Sequence, residues 1–148
     1  MAKSFTAQIR DWAKLTKQNM RYVATESIQD VLEAAQTPQL GITKGATSFV
    51  EGKIPVAEAD LINSLVSGLN GSVGAPSATS YTVAIGSMQL GDMARFAWTA
   101  EHAMRMEHGF TGTDALGRSY NQAGRHFVAV NAARFEEFVK ARVREVKK

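Results

Sequence analysis

One uninterrupted stretch decides the fold of this chain: residues 3–36 read KSFTAQIRDWAKLTKQNMRYVATESIQDVLEAAQ. Its apolar side chains recur at steps of three and four, the helical period, and it contains neither glycine nor proline. The pattern predicts one long helix that Ser4 or Thr6 can cap. Thr37 and Pro38 should end it, because the residue before a proline avoids the helical region. A rise of about 1.5 Å per residue makes this helix roughly 45–50 Å long, more than a compact domain of this size requires.

The first turns of this helix carry an apolar face formed by Phe5, Ile9 and Trp12. Burying one large apolar side chain contributes about 1.5–3 kcal/mol through its area. Because the helix is too long for the domain, we expect these three residues to form a subunit–subunit interface. The alternative is that Trp12 belongs to the core of its own subunit.

Shorter elements are predicted downstream. A β-prone stretch over residues 47–50 is followed by a second helix, which starts at Pro55 and has an apolar stripe reaching Leu69. Next come a strand over residues 81–88 and a third helix over about 93–108, which Gly109 ends. The last predicted element is a charged helix from about Phe127 to the end.

Residues 109–125, GFTGTDALGRSYNQAGR, are predicted to form a long glycine-rich loop. Fixing each loop residue costs about 1–2 kcal/mol, so the loop needs many compensating contacts. We expect a neighbouring subunit or an adjacent ring to supply them, which makes this a docking loop; the alternative is a solvated loop without a role. The candidate contact residues are Phe110, Leu116, Arg118, Tyr120, Arg125 and His126, of which the two arginines would meet acidic groups and His126 either caps a helix or contacts a partner.

The sequence lacks the residues that several kinds of catalytic, metal and phosphate-binding site require. The chain of 148 residues has no cysteine, which excludes disulfides, thiolate metal sites and a cysteine nucleophile. His102 and His108 are six residues apart and would point about 120° away from each other on a helix, which disfavours a zinc site. The glycines before Lys53 do not have phosphate-loop spacing. We therefore expect no catalytic residue, no cofactor and no metal. The start of the chain lacks an apolar signal core and no long apolar run is present, so we expect a cytosolic location, or a particle assembled in the cytosol, and no membrane association.

Charge is distributed unevenly along the chain. Residues 1–21 hold five basic residues against one acidic residue, and residues 134–148 hold six against three. The remainder holds six basic and ten acidic residues. Basic ends and an acidic middle are compatible with stacking on copies or partners of opposite sign, and equally with two solvated helices.

The order of elements and several short motifs resemble the head-to-tail joining family of long-tailed bacteriophages, the neck or tail-completion proteins. The first motif is Ile54 to Leu65, in which a proline and then an acidic segment lead into a short leucine-rich helix. The other two are Met106-Glu107-His108-Gly109 before a variable loop and Arg125-His126-Phe127-Val128 at the start of the last helix. The resemblance covers most of residues 1–145. The chain differs from the usual pattern in Ala59-Asp60-Leu61-Ile62 and in the predicted helix over 93–108, where the family often has a strand.

This resemblance implies a single α+β domain over residues 1–148, with a small antiparallel sheet flanked by a long N-terminal helix, two shorter helices and a C-terminal helix. It also implies a virion protein that forms a homo-oligomeric ring, usually a hexamer, between the head connector or stopper and the tail tube or tail terminator. The packaged DNA would then be a passive neighbour. The alternative function is a small helical nucleic-acid-binding or regulatory protein, which the basic ends would explain.

Overall fold

The computed structural model describes residues 4–40, 50–56, 59–113, 115–117 and 119–147. The chain is α+β, as the resemblance implies. Its elements, in order, are α1 (Phe5–Ala35), β1 (Pro38–Leu40), β2 (Ile54–Val56), a 3₁₀ helix (Ile62–Ser64), β3 (Leu65–Leu69), α2 (Ser80–Ser87), β4 (Ala94–Trp98), α3 (Ala103–His108), β5 (Gly109–Thr113), β6 (Ser119–Ala123), α4 (Ala129–Ala132) and α5 (Phe135–Val146).

The long N-terminal helix is confirmed. Ser4 caps α1 by accepting a hydrogen bond from the Ala7 backbone N–H at 3.1 Å, which satisfies one of the free donors at a helix start. The helix ends at Ala35, two residues before Thr37. Both boundaries are local signals, a capping hydroxyl and a proline, and both act as predicted.

The strands form three separate pairs. β1 and β2 are parallel, whereas β3 pairs with β4 and β5 pairs with β6 in antiparallel register. In the second pair Leu65 stands opposite Trp98 and Leu69 stands opposite Ala94. The described β-structure therefore consists of two-stranded units that are packed among helices.

Two apolar clusters make the core, and Trp98 joins them. The first contains Leu32, Leu65, Tyr81 and Ile85, and the second contains Ile54, Leu61 and Phe127. Trp98 packs against both and meets the Phe127 ring edge-on, with 5.3 Å between ring centroids. Its indole N–H donates to the Gln36 side-chain oxygen at 2.8 Å.

Three predicted elements in the middle of the chain are wrong. The helix expected from Pro55 to Leu69 is β2, a 3₁₀ turn and β3. The strand expected over Tyr81–Met88 is the helix α2. The helix expected from Met93 to His108 contains a strand, β4, before the short α3.

The errors have a common physical cause, which is that short apolar runs fit more than one period. Tyr81, Ala84, Ile85 and Met88 are all buried, and their spacing of three, four and seven is helical although the run also alternates large and small residues. Residues 94–98 are a strand because they pair with β3, a contact more than twenty residues away in sequence.

The remaining predictions are closer. Gly109 does end α3, with a backbone φ of +88° that favours glycine. The C-terminal helix is present, divided into α4 and α5. Residues 47–49 of the predicted β-prone stretch lie outside the described residues.

Candidate interaction surface

The most prominent surface is an apolar ridge, defined as Phe5, Ile9 and Trp12, on the first turns of α1. These side chains are 78%, 50% and 67% exposed. Their spacing of four and three residues puts them on one face. Within α1, none of residues 5–20 is buried. The alternative that Trp12 belongs to the core of its own subunit is therefore wrong, and the ridge is presented to solvent.

The second half of α1 is fastened to the rest of the subunit. Arg21 donates through Nε to the Met88 carbonyl at 2.7 Å and through Nη2 to the Gly86 carbonyl at 3.2 Å. The Tyr22 hydroxyl donates to the Glu145 carboxylate at 2.7 Å. This hydrogen bond raises the pKa of Tyr22 and lowers the pKa of Glu145. The first four turns of the helix therefore extend from an anchored base.

An apolar groove of about 520 Å³ lies beside this anchored half. It runs between α1, the connection from α2 to β4, and the start of α5. Its principal apolar lining is Ala24, Ile28, Met88, Leu90, Phe96 and Phe135. Leu90 and Phe135 are 44% and 41% exposed. The groove has no signal in the sequence, because its wall comes from four separate segments.

The predicted docking loop is a β-hairpin. Residues 109–113 pair with residues 119–123 in antiparallel register, with Phe110 opposite Gln122. The loop prediction rested on glycine content, but Phe-Thr-Gly-Thr and Ser-Tyr-Asn-Gln are two short strand-like runs joined by a turn with a glycine, which is a hairpin signal. The segment is therefore a hairpin and not an irregular loop, and its docking role stays a prediction.

The hairpin places the expected contact residues differently. Phe110 lies under the Arg105 guanidinium, whose central carbon is 4.3 Å from the ring centroid. Leu116 is 79% exposed at the tip. Tyr120 belongs to β6, opposite Gly112. Arg118 lies outside the described residues.

Arg125 and His126 stand at the base of the hairpin. Arg125 is 1% exposed and donates through Nη1 to the Ala123 carbonyl at 2.7 Å. Burial lowers the pKa of this guanidinium. The Arg125 side chain is enclosed in this subunit, and its contact with an acidic group of a partner stays a prediction. His126 is half-buried and adopts a φ of +50°.

The segments before and after the hairpin are hydrogen-bonded to each other. The Arg125 N–H donates to the Met106 carbonyl at 2.7 Å, and the His126 N–H to the Glu107 carbonyl at 3.1 Å. The buried Glu107 carboxylate accepts the backbone N–H groups of Val128 and Ala129 at 3.1 and 3.0 Å. Glu107 therefore has a structural role at the start of α4, and its neighbour His108 is exposed.

Across the described ranges, no three histidine, aspartate or glutamate side chains stand close enough together to hold a metal ion. None of the helices in the described parts of the chain has the length and apolar content that a bilayer span would need.

Comparison with known proteins gives no relative from which to argue. No protein-family model, no curated protein and no solved structure matches this chain.

Proposed function

We propose that this protein is a structural virion protein of a phage neck, which forms a homo-oligomeric ring between the head connector or stopper and the tail tube or tail terminator. The observation that carries the proposal is the apolar ridge on the projecting half of α1. Most helical stability in proteins comes from packing of an apolar face, and clustered exposed apolar side chains mark interaction sites. A ring of copies would cover the ridge.

Two features of the structure support the resemblance behind this proposal. The strand β4 lies within residues 93–108, where the family often has a strand and where the sequence predicted a helix. The two motifs on either side of the variable segment, Met106–Gly109 and Arg125–Val128, are joined by backbone hydrogen bonds at the hairpin base. They therefore form one local unit at the base of the β5–β6 hairpin, and the proposal assigns this hairpin to the contact with a partner.

The first experiment locates the protein in particles. Virions that carry an epitope tag on this chain are imaged with gold-labelled antibody, and the proposal expects label at the junction of head and tail. Label over the whole capsid, or none on purified particles, would overturn it. Purified wild-type protein is also compared with a variant carrying His102→Gln, His108→Gln and His126→Gln. A hydrolase, nuclease or transferase activity that disappears in this variant would show that the protein is an enzyme.

The second experiment tests the hairpin. Residues 111–122 are replaced by a short Gly-Ser linker, and circular dichroism checks that the rest of the subunit folds. The proposal expects unjoined heads and tails, or rings that do not close. A matched control replaces Val73, a 55% exposed residue on a different connection, with Ser and should assemble normally. Normal particle yield with the shortened chain would contradict a docking role for the hairpin.

A second candidate function, a small nucleic-acid-binding or regulatory protein, is favoured by one observation. Arg10, Lys14 and Lys17 are exposed on the side of α1 away from the ridge, and such a basic row can meet phosphates. Under this alternative the purified protein retards DNA in a gel, its affinity falls steeply with salt, and a Lys14→Glu, Lys17→Glu variant loses the effect. A neck ring would require only passive proximity to packaged DNA.

A further inference from the structure

We infer that the apolar groove beside α1 receives Phe5, Ile9 and Trp12 from the α1 of a second copy of this chain. The inference deepens the proposed function and rests on its homo-oligomeric part, because it names the surface that the ridge of each subunit enters. The two surfaces differ, one being a ridge and the other a groove.

A subunit cannot fill its own groove with its own ridge. The helical rise puts Trp12 about 24 Å along the axis from Ile28, which lines the groove. The ridge and the groove also lie on different sides of α1, roughly a third of a turn apart. Arg21 holds the helix between them through two hydrogen bonds to backbone carbonyls. The occupant must therefore come from another molecule.

The groove is large enough to enclose side chains of the ridge. Phe5, Ile9 and Trp12 are the i, i+4 and i+7 anchors by which an amphipathic helix lies in an apolar groove. The groove volume of about 520 Å³ is within the roughly 300–1,000 Å³ of sites that enclose a ligand. Two aromatic side chains bury about 300–500 Å² together. Leu15 and Met20, each 55% exposed, extend the apolar area toward the ~800 Å² per partner of a stable interface.

Charged side chains lie around the groove and on the incoming helix, outside the apolar contact itself. The incoming helix carries Arg10, Lys14 and Lys17 on the side away from the ridge, so these cations stay in solvent when the ridge enters the groove. Asp92 lines the groove, and Glu136 and Glu137 follow Phe135 at the start of α5. Both glutamates are highly exposed, and surface ion pairs join Glu136 to Lys140 and Glu137 to Arg134. Arg21, the cation of the groove wall, is engaged with the Met88 and Gly86 carbonyls.

A contact between two different surfaces of identical chains is heterologous, and it repeats until the rotation closes a ring or continues as a filament. This geometry predicts a specific behaviour of paired variants. Trp12→Asp removes the ridge and leaves the groove, whereas Leu90→Asp places a charge in the groove and leaves the ridge. Val83→Asp is the control, because Val83 is 78% exposed on α2 and lies outside the groove lining.

The experiment measures particle mass in solution for each variant and for their mixture, with circular dichroism as a check on folding. We expect the wild type and Val83→Asp to assemble, and Trp12→Asp and Leu90→Asp each to be monomeric. An equal mixture of the two should give a heterodimer and nothing larger, because only one intact ridge and one intact groove remain. A Leu90→Asp chain that assembles like the wild type would overturn the inference, as would a mixture that stays monomeric.

Disulfide crosslinking tests the same ridge-to-groove contact without charged variants. The chain has no cysteine, so Trp12→Cys on one copy and Leu90→Cys on another can be oxidised without competing thiols. We expect a crosslinked dimer from the mixture and little from either variant alone. Crosslinking of Trp12→Cys to itself would instead indicate a ridge-to-ridge contact and overturn the groove as acceptor. These outcomes are independent of the imaging of virions, so an inference that fails here leaves the neck proposal to be judged on its own test.

Discussion

Arg142 of α5 and Asp30 of α1 form a bidentate ion pair. The Arg142 Nη2 donates to Asp30 Oδ1 at 2.7 Å, and the Arg142 Nε donates to Asp30 Oδ2 at 2.9 Å. The hydrogen bonds to Asp30 raise the pKa of Arg142. Both side chains are largely shielded, with 23% and 18% exposure. Because a planar guanidinium fits a carboxylate in this geometry, the pair fixes the register of the two helices.

The Asp30–Arg142 pair should contribute measurably to stability. Asp30→Ala is expected to lower the free energy of unfolding by about 1.5–3 kcal/mol, the range for hydrogen bonds to charged groups. Lys140→Ala is the matched control, because it removes an exposed pair with Glu136 on α5 and should cost no more than about 0.5 kcal/mol. Urea unfolding of both variants measures the difference, and equal losses would refute a special role for Asp30.

The Trp98–Gln36 hydrogen bond is predicted to couple the two core clusters. Trp98→Phe keeps an aromatic ring against Phe127 but leaves the buried Gln36 oxygen without its indole donor, at an expected cost of about 1–3 kcal/mol. Gln36→Leu also removes the donations from Nε2 to the Ile62 and Ala78 carbonyls, both at 2.9 Å. The two changes should be non-additive by at least about 0.5 kcal/mol in a double-mutant cycle. Additive losses would mean that the bond contributes nothing.

Assembly should change the fluorescence of Trp12. In a Trp98→Phe chain, Trp12 is the remaining indole of the two that the sequence contains. Its fluorescence emission maximum should lie at long wavelength in dilute solution, because the side chain is 67% exposed. The maximum should shift to shorter wavelength as the protein concentration rises, because assembly buries the ridge. The same chain with Leu90→Asp should show no shift. A concentration-independent spectrum in the first chain would count against burial of the ridge.

Gly124 is predicted to tolerate no side chain. An added Cβ would collide with the Glu107 carbonyl oxygen and lie 2.7 Å from the His108 carbonyl carbon, so Gly124→Ala should cost about 1–3 kcal/mol through overpacking. Gly86→Ala is the control, since a Cβ there meets nothing within 4 Å in α2 and should stabilise by about 0.5–1 kcal/mol. Thermal unfolding and hydrogen exchange of the β5 and β6 amides measure both effects. Unchanged hairpin protection in Gly124→Ala would contradict the prediction.

Asp92 should make stability depend on acid pH. Its carboxylate accepts the Gln89 backbone N–H at 2.8 Å and the Asn70 amide at 3.0 Å, and these bonds lower its pKa. Because the folded pKa is below the unfolded one, the stabilisation is present above the ordinary aspartate pKa and is lost as the pH falls through the lowered value. Wild type should therefore unfold at higher temperature than Asp92→Asn near neutral pH. The gap should close in strong acid, and a gap that persists there would exclude this origin.

The sequence predicted the ends of the long helix and the glycine that ends α3, because Ser4, Pro38 and Gly109 act on their own neighbours. It did not predict β3 and β4, whose pairing of Leu65 with Trp98 depends on a contact between distant segments. It predicted the ridge, because Phe5, Ile9 and Trp12 share a helical period. It missed the groove, because Ile28, Leu90 and Phe135 come together only in the folded subunit.

The length of α1 determines the spacing of neighbouring subunits in the proposed ring. If the ridge of one subunit lies in the groove of the next, the roughly 24 Å between Trp12 and Ile28 sets the step from subunit to subunit. Deleting seven residues between Met20 and Trp12 would shorten that step by about 10 Å while turning the ridge by only ~20°. A deletion of four residues would turn it further for a smaller change in length. The number of helical turns between Trp12 and Ile28 would thus determine the diameter of the ring.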